Sequence, residues 1–350
     1  YTARLCTRPA AYWDGIKRDR VGWYGDARIT QETTDAVFFD PRPAEAMLVG
    51  LPTTAWANHI PVYSFDAIAM LKQLLLAYGP RKSSQEIYGR VREMLRWTER
   101  TQTSREGLLA RNPEVQYFFG IGFLDWSPMP VGGRFEELSW LQFRYIEALR
   151  NAADVARWLG HGTDAARYSA SAGRLGRIAM KRFYRRGRGF VHTLNRSRRG
   201  WEKLAPDRHY RGTYVDRMRL GPSGPSRHSC SLAAWAGLCT TEQARRDVLR
   251  ALDNDRLSPV ITPYFAYYEQ CGRAECGDPA GALMNMRQYV GEQLERNDSA
   301  TVWESFEPEV TGFRRWGLGT WPKSLCHGWS SGIVPMSVRY LLGVRPVEPG

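Results

Sequence analysis

No apolar run in this chain approaches the length of a membrane helix, which excludes a helical membrane span. The opening residues Tyr1-Thr-Ala-Arg carry no apolar h-region, so no signal peptide is read there. Without an initiator Met, the chain is expected to be a trimmed or mature fragment. Metal spacing is also missing. The six cysteines contain no CxxC pair, and no acidic loop of the EF-hand type occurs, so neither a metal nor a cofactor is expected. Only Cys271 and Cys276, in CGRAEC, are close enough in sequence to bridge a small loop. Strand signals are weak and few, and no fixed-period repeat marks a TPR or ankyrin array.

Basic charge, by contrast, is in excess: the net charge is +13, mostly from arginine. A solvated Arg-rich surface is the preferred account of this over an anionic partner, whether nucleic acid or acidic polysaccharide. The most basic stretch, Lys181 to Arg211, is interleaved with aromatics but brings no nucleic-acid motif, so no nucleic-acid partner is expected. Asn195-Arg-Ser and Asn297-Asp-Ser are glycosylation sequons, a triplet that also arises by chance.

The chain reads as helices arriving in pairs. SFDAIAMLKQLLLAYGP offers Ser64 as an N-cap and Gly79-Pro80 as a stop. Between Phe135 and Gly160, apolar residues from Leu138 to Leu159 recur at steps of three and four, and a partner helix opens near Thr163. The run Leu232–Leu238 precedes TTEQ, a capping box from Thr240 to Gln243. GALMNMRQYVGEQLER and VPMSVRYLLG complete the series. So many hairpins must each bury a stripe, which a closed all-α toroid achieves.

The loops between pairs share a composition. WDGIKRDRVGWYGD, FGIGFLDWSP, SPVITPYFAYYE, TVWESFEP and SLCHGWSSG combine Trp, Tyr, His and carboxylates. Aromatic faces stack on the C–H faces of sugar rings, and carboxylates accept hydrogen bonds from vicinal hydroxyls. Glycosidic cleavage adds a protonated carboxylic acid and a charged carboxylate on opposite sides of the bond. Each residue also has an ordinary use: Asp as a helix cap, Trp and Tyr264 as packing, His327 as a core histidine, Arg18 as an ion-pair partner.

Taken in order, these loops resemble the family 78 glycoside hydrolases, the α-L-rhamnosidases. The D-x-x-x-R-D stretch ending in W-x-G-D is here Asp14, Arg18, Asp19, Trp23, Gly25 and Asp26. It is followed by Asp125-Trp126, Thr262-Pro263-Tyr264, Trp303-Glu304, and Ser324, His327 and Trp329. The resemblance covers nearly the whole chain. It implies an all-α (α/α)6 barrel, a single catalytic domain over 1–350 without the flanking β-sandwich domains of the family. It implies inverting release of terminal α-linked L-rhamnose from a glycan or glycoside, with no membrane partner. Glu304 would be the general base. Asp14, Arg18 and His327 would hold the hydroxyls; Asp26 and Tyr264 would also contact the sugar; Trp23, Trp126 and Trp303 would wall the pocket. A secreted or periplasmic location is favoured over a cytoplasmic one.

One position departs from the pattern. Many relatives carry a Glu after the R-D pair, as general acid; here Arg20 stands there. Asp19 is the nearest candidate, with Glu32 and Asp35 as others. A neighbouring Arg20 lowers the pKa of Asp19, which opposes an acid role, whereas burial against Trp23 raises it. The departure keeps open a carbohydrate-binding relative without catalysis, and a six-hairpin hydrolase or lyase acting on an acidic sugar.

Overall fold

The computed structural model describes residues 1–16, 20–118, 123–126, 134–194, 224–257, 259–295, 300–306 and 324–349. Most of the basic stretch, from 195 to 211, and both sequons lie outside the described residues. In chain order the helices are α1 (Thr2–Cys6), α2 (Tyr24–Val37), α3 (Arg42–Val49), α4 (Pro61–Tyr78), α5 (Ser84–Thr101) and α6 (Ser139–Trp158). They continue with α7 (Gly162–Phe183), α8 (Arg227–Trp235), α9 (Glu242–Leu252), α10 (Pro263–Glu275), α11 (Pro279–Glu295) and α12 (Ile333–Tyr340). Two antiparallel ribbons, β1 (Thr7–Arg8) with β2 (Ala11–Tyr12) and β3 (Tyr184–Arg185) with β4 (Gly189–Phe190), are the sheets among the described residues.

Two kinds of helix alternate. In α10 every residue from Pro263 to Ala274 is buried, and α2 is buried without a break from Tyr24 to Asp35. In α9 only Ala244, Asp247, Val248, Ala251 and Leu252 are buried, a stripe at helical spacing. All-round burial marks an inner helix; a stripe marks an outer one. The even-numbered helices close a ring: α2 packs on α4, α4 on α6, α6 on α8, α8 on α10, α10 on α12, and α12 back on α2. Outside it, α3 backs α4, α7 backs α6, α9 backs α8 and α11 backs α10. This is the expected (α/α)6 barrel. Since an outer helix returns the chain each time, the inner helices all start at one end, where the loops preceding them gather.

Some local readings shift. α4 begins at Pro61, which occupies the first turn at no cost because its missing N–H has no partner there anyway. Ser64 lies inside the helix and accepts from the Ala57 N–H at 2.8 Å. The cap of α9 is Thr241, whose Oγ1 accepts from the Ala244 N–H at 3.2 Å, one residue beyond the expected box. Cys271 and Cys276 do not bridge a loop: α10 runs through Cys271 and Cys276 is its C-cap, with both thiols free.

The barrel axis holds charge. Arg28 of α2 binds Asp66 of α4 (2.9 Å) and Glu147 of α6 (2.8 Å), and Arg144 of α6 grips the same two carboxylates. Glu147 also accepts from Trp235 of α8 at 2.7 Å, and Asp66 from Tyr268 of α10 at 3.3 Å. Further along, Glu32 of α2 meets Arg339 of α12 at 3.4 Å and Tyr267 of α10. Every inner helix supplies a member. Burial alone would raise Glu147, but the Arg144 and Arg28 guanidiniums outweigh it and hold the group below its usual value.

Two outcomes test this account. Arg28→Met leaves Asp66 and Glu147 to share one guanidinium in a buried setting. Urea denaturation should show a loss of about 3–5 kcal/mol; a loss under about 1 kcal/mol would make the cluster ornamental. Asp35, near the far end of α2, is pushed up to about 7, first by burial, with hydrogen bonds from Tyr78 (2.8 Å) and Gln73 (3.1 Å) opposing. A raised carboxyl stabilises the fold fully below its unfolded pKa, and that contribution is lost as pH rises through the folded value. The unmodified chain should therefore lose on the order of 4 kcal/mol more than Asp35→Asn between pH ~4 and ~7, as measured by denaturation at both pH values.

Candidate active site

Three segments remote in sequence meet at the end where the inner helices begin. Gly15 pairs antiparallel with His327, and the Gly328 N–H donates to the Asp14 carbonyl at 2.6 Å. On its other side, the His327 N–H donates to the Val302 carbonyl at 3.0 Å. The Glu304 N–H donates to the Ser324 carbonyl (2.8 Å), and the Ser324 N–H returns a bond to Glu304 Oε2 (2.9 Å). Trp329 Nε1 donates to the Glu304 carbonyl at 3.1 Å. Such close laddering leaves no room for side chains at the crossings. A Cβ on Gly328 would stand 2.5 Å from Thr30 Oγ1, and one on Gly25 would stand 2.2 Å from the Tyr63 ring.

These segments bring Asp14, Asp26, Glu304 and His327 together, all buried. Asp14 precedes α2, with its Oδ1 accepting from the Val21 N–H at 3.1 Å. Asp26 sits in the first turn of α2, where the helix N-terminus favours an acid. His327 lies between them, with Nδ1 3.5 Å from Asp26 Oδ1 and Nε2 3.9 Å from Asp14 Oδ2. Tyr63 of α4 donates its hydroxyl to Asp26 Oδ2 at 3.3 Å. Burial, then the charges of Asp14 and Glu304, raise the Asp26 carboxyl well above the usual range; the Tyr63 bond opposes them. One small region thus holds at least three carboxyl groups, one of them raised by burial and by its neighbours.

An aromatic wall flanks this group. Trp23 meets Tyr63 at 6.1 Å and Phe118 at 5.4 Å, Phe118 meets Phe123 at 5.6 Å, and Phe123 meets Trp126 at 4.8 Å. Thr262 ties the wall to the ring: it caps α10, accepting from the Phe265 N–H at 3.2 Å, and donates its hydroxyl to Asp125. On the floor, Trp329 lies 4.7 Å from the His327 ring and 5.1 Å from that of Tyr264. Tyr264 points its hydroxyl at Asp66, 3.5 Å away, linking the floor to the charged axis. Trp303 is buried, its main-chain N–H donating to Gln293 Oε1 at 3.0 Å.

Arg18 and Asp19 lie outside the described residues. The alternative acids do not reach the site. Glu32 and Asp35 follow Asp26 by six and nine residues on α2, about 9 and about 14 Å deeper along its axis. Both are engaged there, Glu32 by Arg28 and Arg339 and Asp35 by Tyr78 and Gln73. Tyr63, Phe118, Phe123 and Thr262 escaped sequence reading as site residues. Tyr63 sits in an apolar helical run and carries no local signal.

The family described as the bacterial alpha-L-rhamnosidase 6 hairpin glycosidase domain matches residues 3–200. No curated protein matches in sequence. Among solved structures, the chain is similar to the GH78 family rhamnosidase of Bacillus sp. GL1, with a TM-score of 0.77 at 19% identity, over 100% of this chain and 35% of that one. It is similar to a rhamnosidase from Klebsiella oxytoca with rhamnose bound (TM-score 0.72, 19% identity, 98% of this chain and 62% of that one). An alpha-L-rhamnosidase from Dictyoglumus thermophilum aligns with a TM-score of 0.65 at 17% identity, over 97% of this chain and 36% of that one. The chain thus spans between about a third and two thirds of these proteins' length. At such identities the likeness is one of fold.

Asp26→Asn keeps the shape of the side chain and removes the charge whose burial raises the carboxyl. Raised carboxyls stabilise at low pH and destabilise once ionised. The variant's Tm relative to the unmodified chain should therefore be higher at pH 9 than at pH 5. A variant less stable at both pH values would mean that the carboxyl is needed structurally.

Proposed function

The chain belongs to the bacterial alpha-L-rhamnosidase six-hairpin glycosidase family, and we propose that it hydrolyses terminal α-linked L-rhamnose with inversion. The observation that carries this reading is the meeting of Glu304 with Asp14, Asp26 and His327 beside an aromatic wall, at the end of the barrel where the inner helices begin.

In this reading Glu304 is the general base. The Ser324 N–H fixes Oε2 and the Glu304 main chain is pinned twice, so the carboxylate has one orientation towards the anomeric carbon. A preset orientation lowers the entropic part of the barrier for water attack. Asp14, Asp26 and His327 offer acceptors and a donor in the arrangement that vicinal hydroxyls need. Trp23, Phe118, Phe123 and Trp126 form an apolar surface suited to the ring C–H groups and the 6-methyl of a deoxysugar. The general acid of this scheme is Asp19, five residues from Asp14 in the segment preceding α2. Inversion requires about 6.5–9.5 Å between the two carboxyls to admit the water. The place of action in this reading is outside the cytoplasm, where rhamnosylated glycans are met.

Turnover of an aryl α-L-rhamnoside, followed by NMR of the released sugar, tests the scheme. The first product should be the β anomer. Glu304→Gln should lower kcat by 10³ or more while calorimetry still registers rhamnose binding. Undiminished kcat in that variant, or an α first product, would remove Glu304 or inversion. Binding without any turnover by the unmodified chain would favour a lectin-like role.

A further inference from the structure

Four of the six cysteines stand in two thiol pairs, although none is bonded. Cys239, in the turn after α8, lies beside Cys276 at the end of α10. Cys6, at the end of α1, lies beside Cys326, 320 residues further along. This second pair lies directly behind the candidate site. Thr2 and Cys6 are four residues apart in α1 and so share a helix face. Both reach the Cys326 side chain. Cys6 Sγ also lies 3.9 Å from the Asp14 carbonyl.

The backbone on both sides is held in register. The Val302 N–H donates to Thr2 Oγ1 at 2.9 Å, and Ser324 Oγ donates to the Cys326 carbonyl at 2.8 Å. The Gly15–His327 bridge and the Gly328–Asp14 bond complete the frame. The two cysteines are thus held side by side by bonds other than their own, and both are buried. Cys230, in contrast, donates to the Phe190 carbonyl at 3.8 Å.

We propose that Cys6 and Cys326 form a disulfide site that ties the loop carrying Asp14 to the loop carrying His327. The chemistry is thiol–disulfide exchange. One thiolate attacks a low-molecular-weight disulfide such as oxidised glutathione, forming a mixed disulfide and expelling one glutathione thiolate. The second cysteine thiolate then attacks the protein sulfur of that mixed disulfide and expels the other. Two electrons pass to glutathione, which takes up the two protons. In an oxidising compartment the pair is bonded; against a reducing thiol pool it is open. A link closing so long a loop acts on the unfolded chain more than on the native one. The bond itself does not depend on the proposed rhamnosidase reading; only its bearing on Asp14 and His327 does.

The test uses the full chain carrying Cys239→Ser and Cys276→Ser, refolded from denaturant in a glutathione redox buffer and then alkylated. Mass spectrometry should show the loss of two hydrogens and one cross-linked peptide joining Cys6 to Cys326. Tm should rise by on the order of 5 °C over the reduced form and fall back on reduction. Adding Cys326→Ser should abolish both the cross-link and the shift. The unmodified chain mapped in the same way should give the same peptide, which covers a failure of the double variant to fold. Thiols that all remain alkylatable, or a bridge to Cys230 or Cys271, would overturn the proposal. Rhamnoside turnover is no part of this readout, so an inactive chain would count against the proposed function alone.

Discussion

The buried ion cluster on the barrel axis is the constraint on which the remaining structure depends. Arg28, Arg144 and Arg339 face Asp66, Glu147 and Glu32, with Trp235 and two tyrosines of α10 completing the coordination. A buried pair of this kind is a poor source of net stability, because desolvation offsets the attraction. Its effect is positional. Sliding an inner helix by one residue turns its side chains by about 100° and strands a charge in a dry interior. Only one register of the helices satisfies every member, so the starts of the inner helices, and the loops before them, are set relative to one another.

The site inherits that precision. Asp26 is two residues before Arg28 on α2, and Tyr63 is three before Asp66 on α4. The residue that donates to Asp26 and the residue that binds Arg28 are thus placed by the same two helices. Tyr264 joins the levels directly, with its ring on Trp329 and its hydroxyl towards Asp66. Above, the first and last parts of the chain are laced by main-chain bonds between 14–15, 302–304 and 324–328. Acidic groups are crowded there because the main-chain bonds keep the loops from spreading apart, and the crowding raises the Asp26 carboxyl.

Much of the fold was legible because it follows from local rules. Helical periodicity, Gly-Pro stops and the scarcity of strand signals pointed to hairpins of helices, and aromatic-carboxylate loops separated them. Helix starts were harder to place: Ser64 and Thr240 each look like caps, but Pro61 and Thr241 serve, because tertiary contacts choose among adjacent candidates. The CGRAEC spacing read as a loop bridge, yet the segment belongs to α10 and the thiol of Cys276 meets Cys239 instead. The axis cluster had a signal that went unused: Asp66, Arg144 and Glu147 interrupt apolar helical faces, and a charge there needs a buried partner.

By itself the sequence determined the helical content, the order of the loops and the residue types available for sugar chemistry, since these depend on neighbours within a turn or two. It also singled out Glu304, Asp14, Asp26 and His327 by composition and order. What only the tertiary structure decided is which of them share a surface. Glu32 and Asp35 have the right chemistry in the right segment, but helix pitch carries them down the barrel into other bonds. Tyr63 has no distinctive sequence context and Thr262 read only as part of a Thr-Pro-Tyr motif, yet they touch Asp26 and Asp125. Proximity across hundreds of residues is a property of the closed ring, and closure is an interaction among all six inner helices that no local window contains.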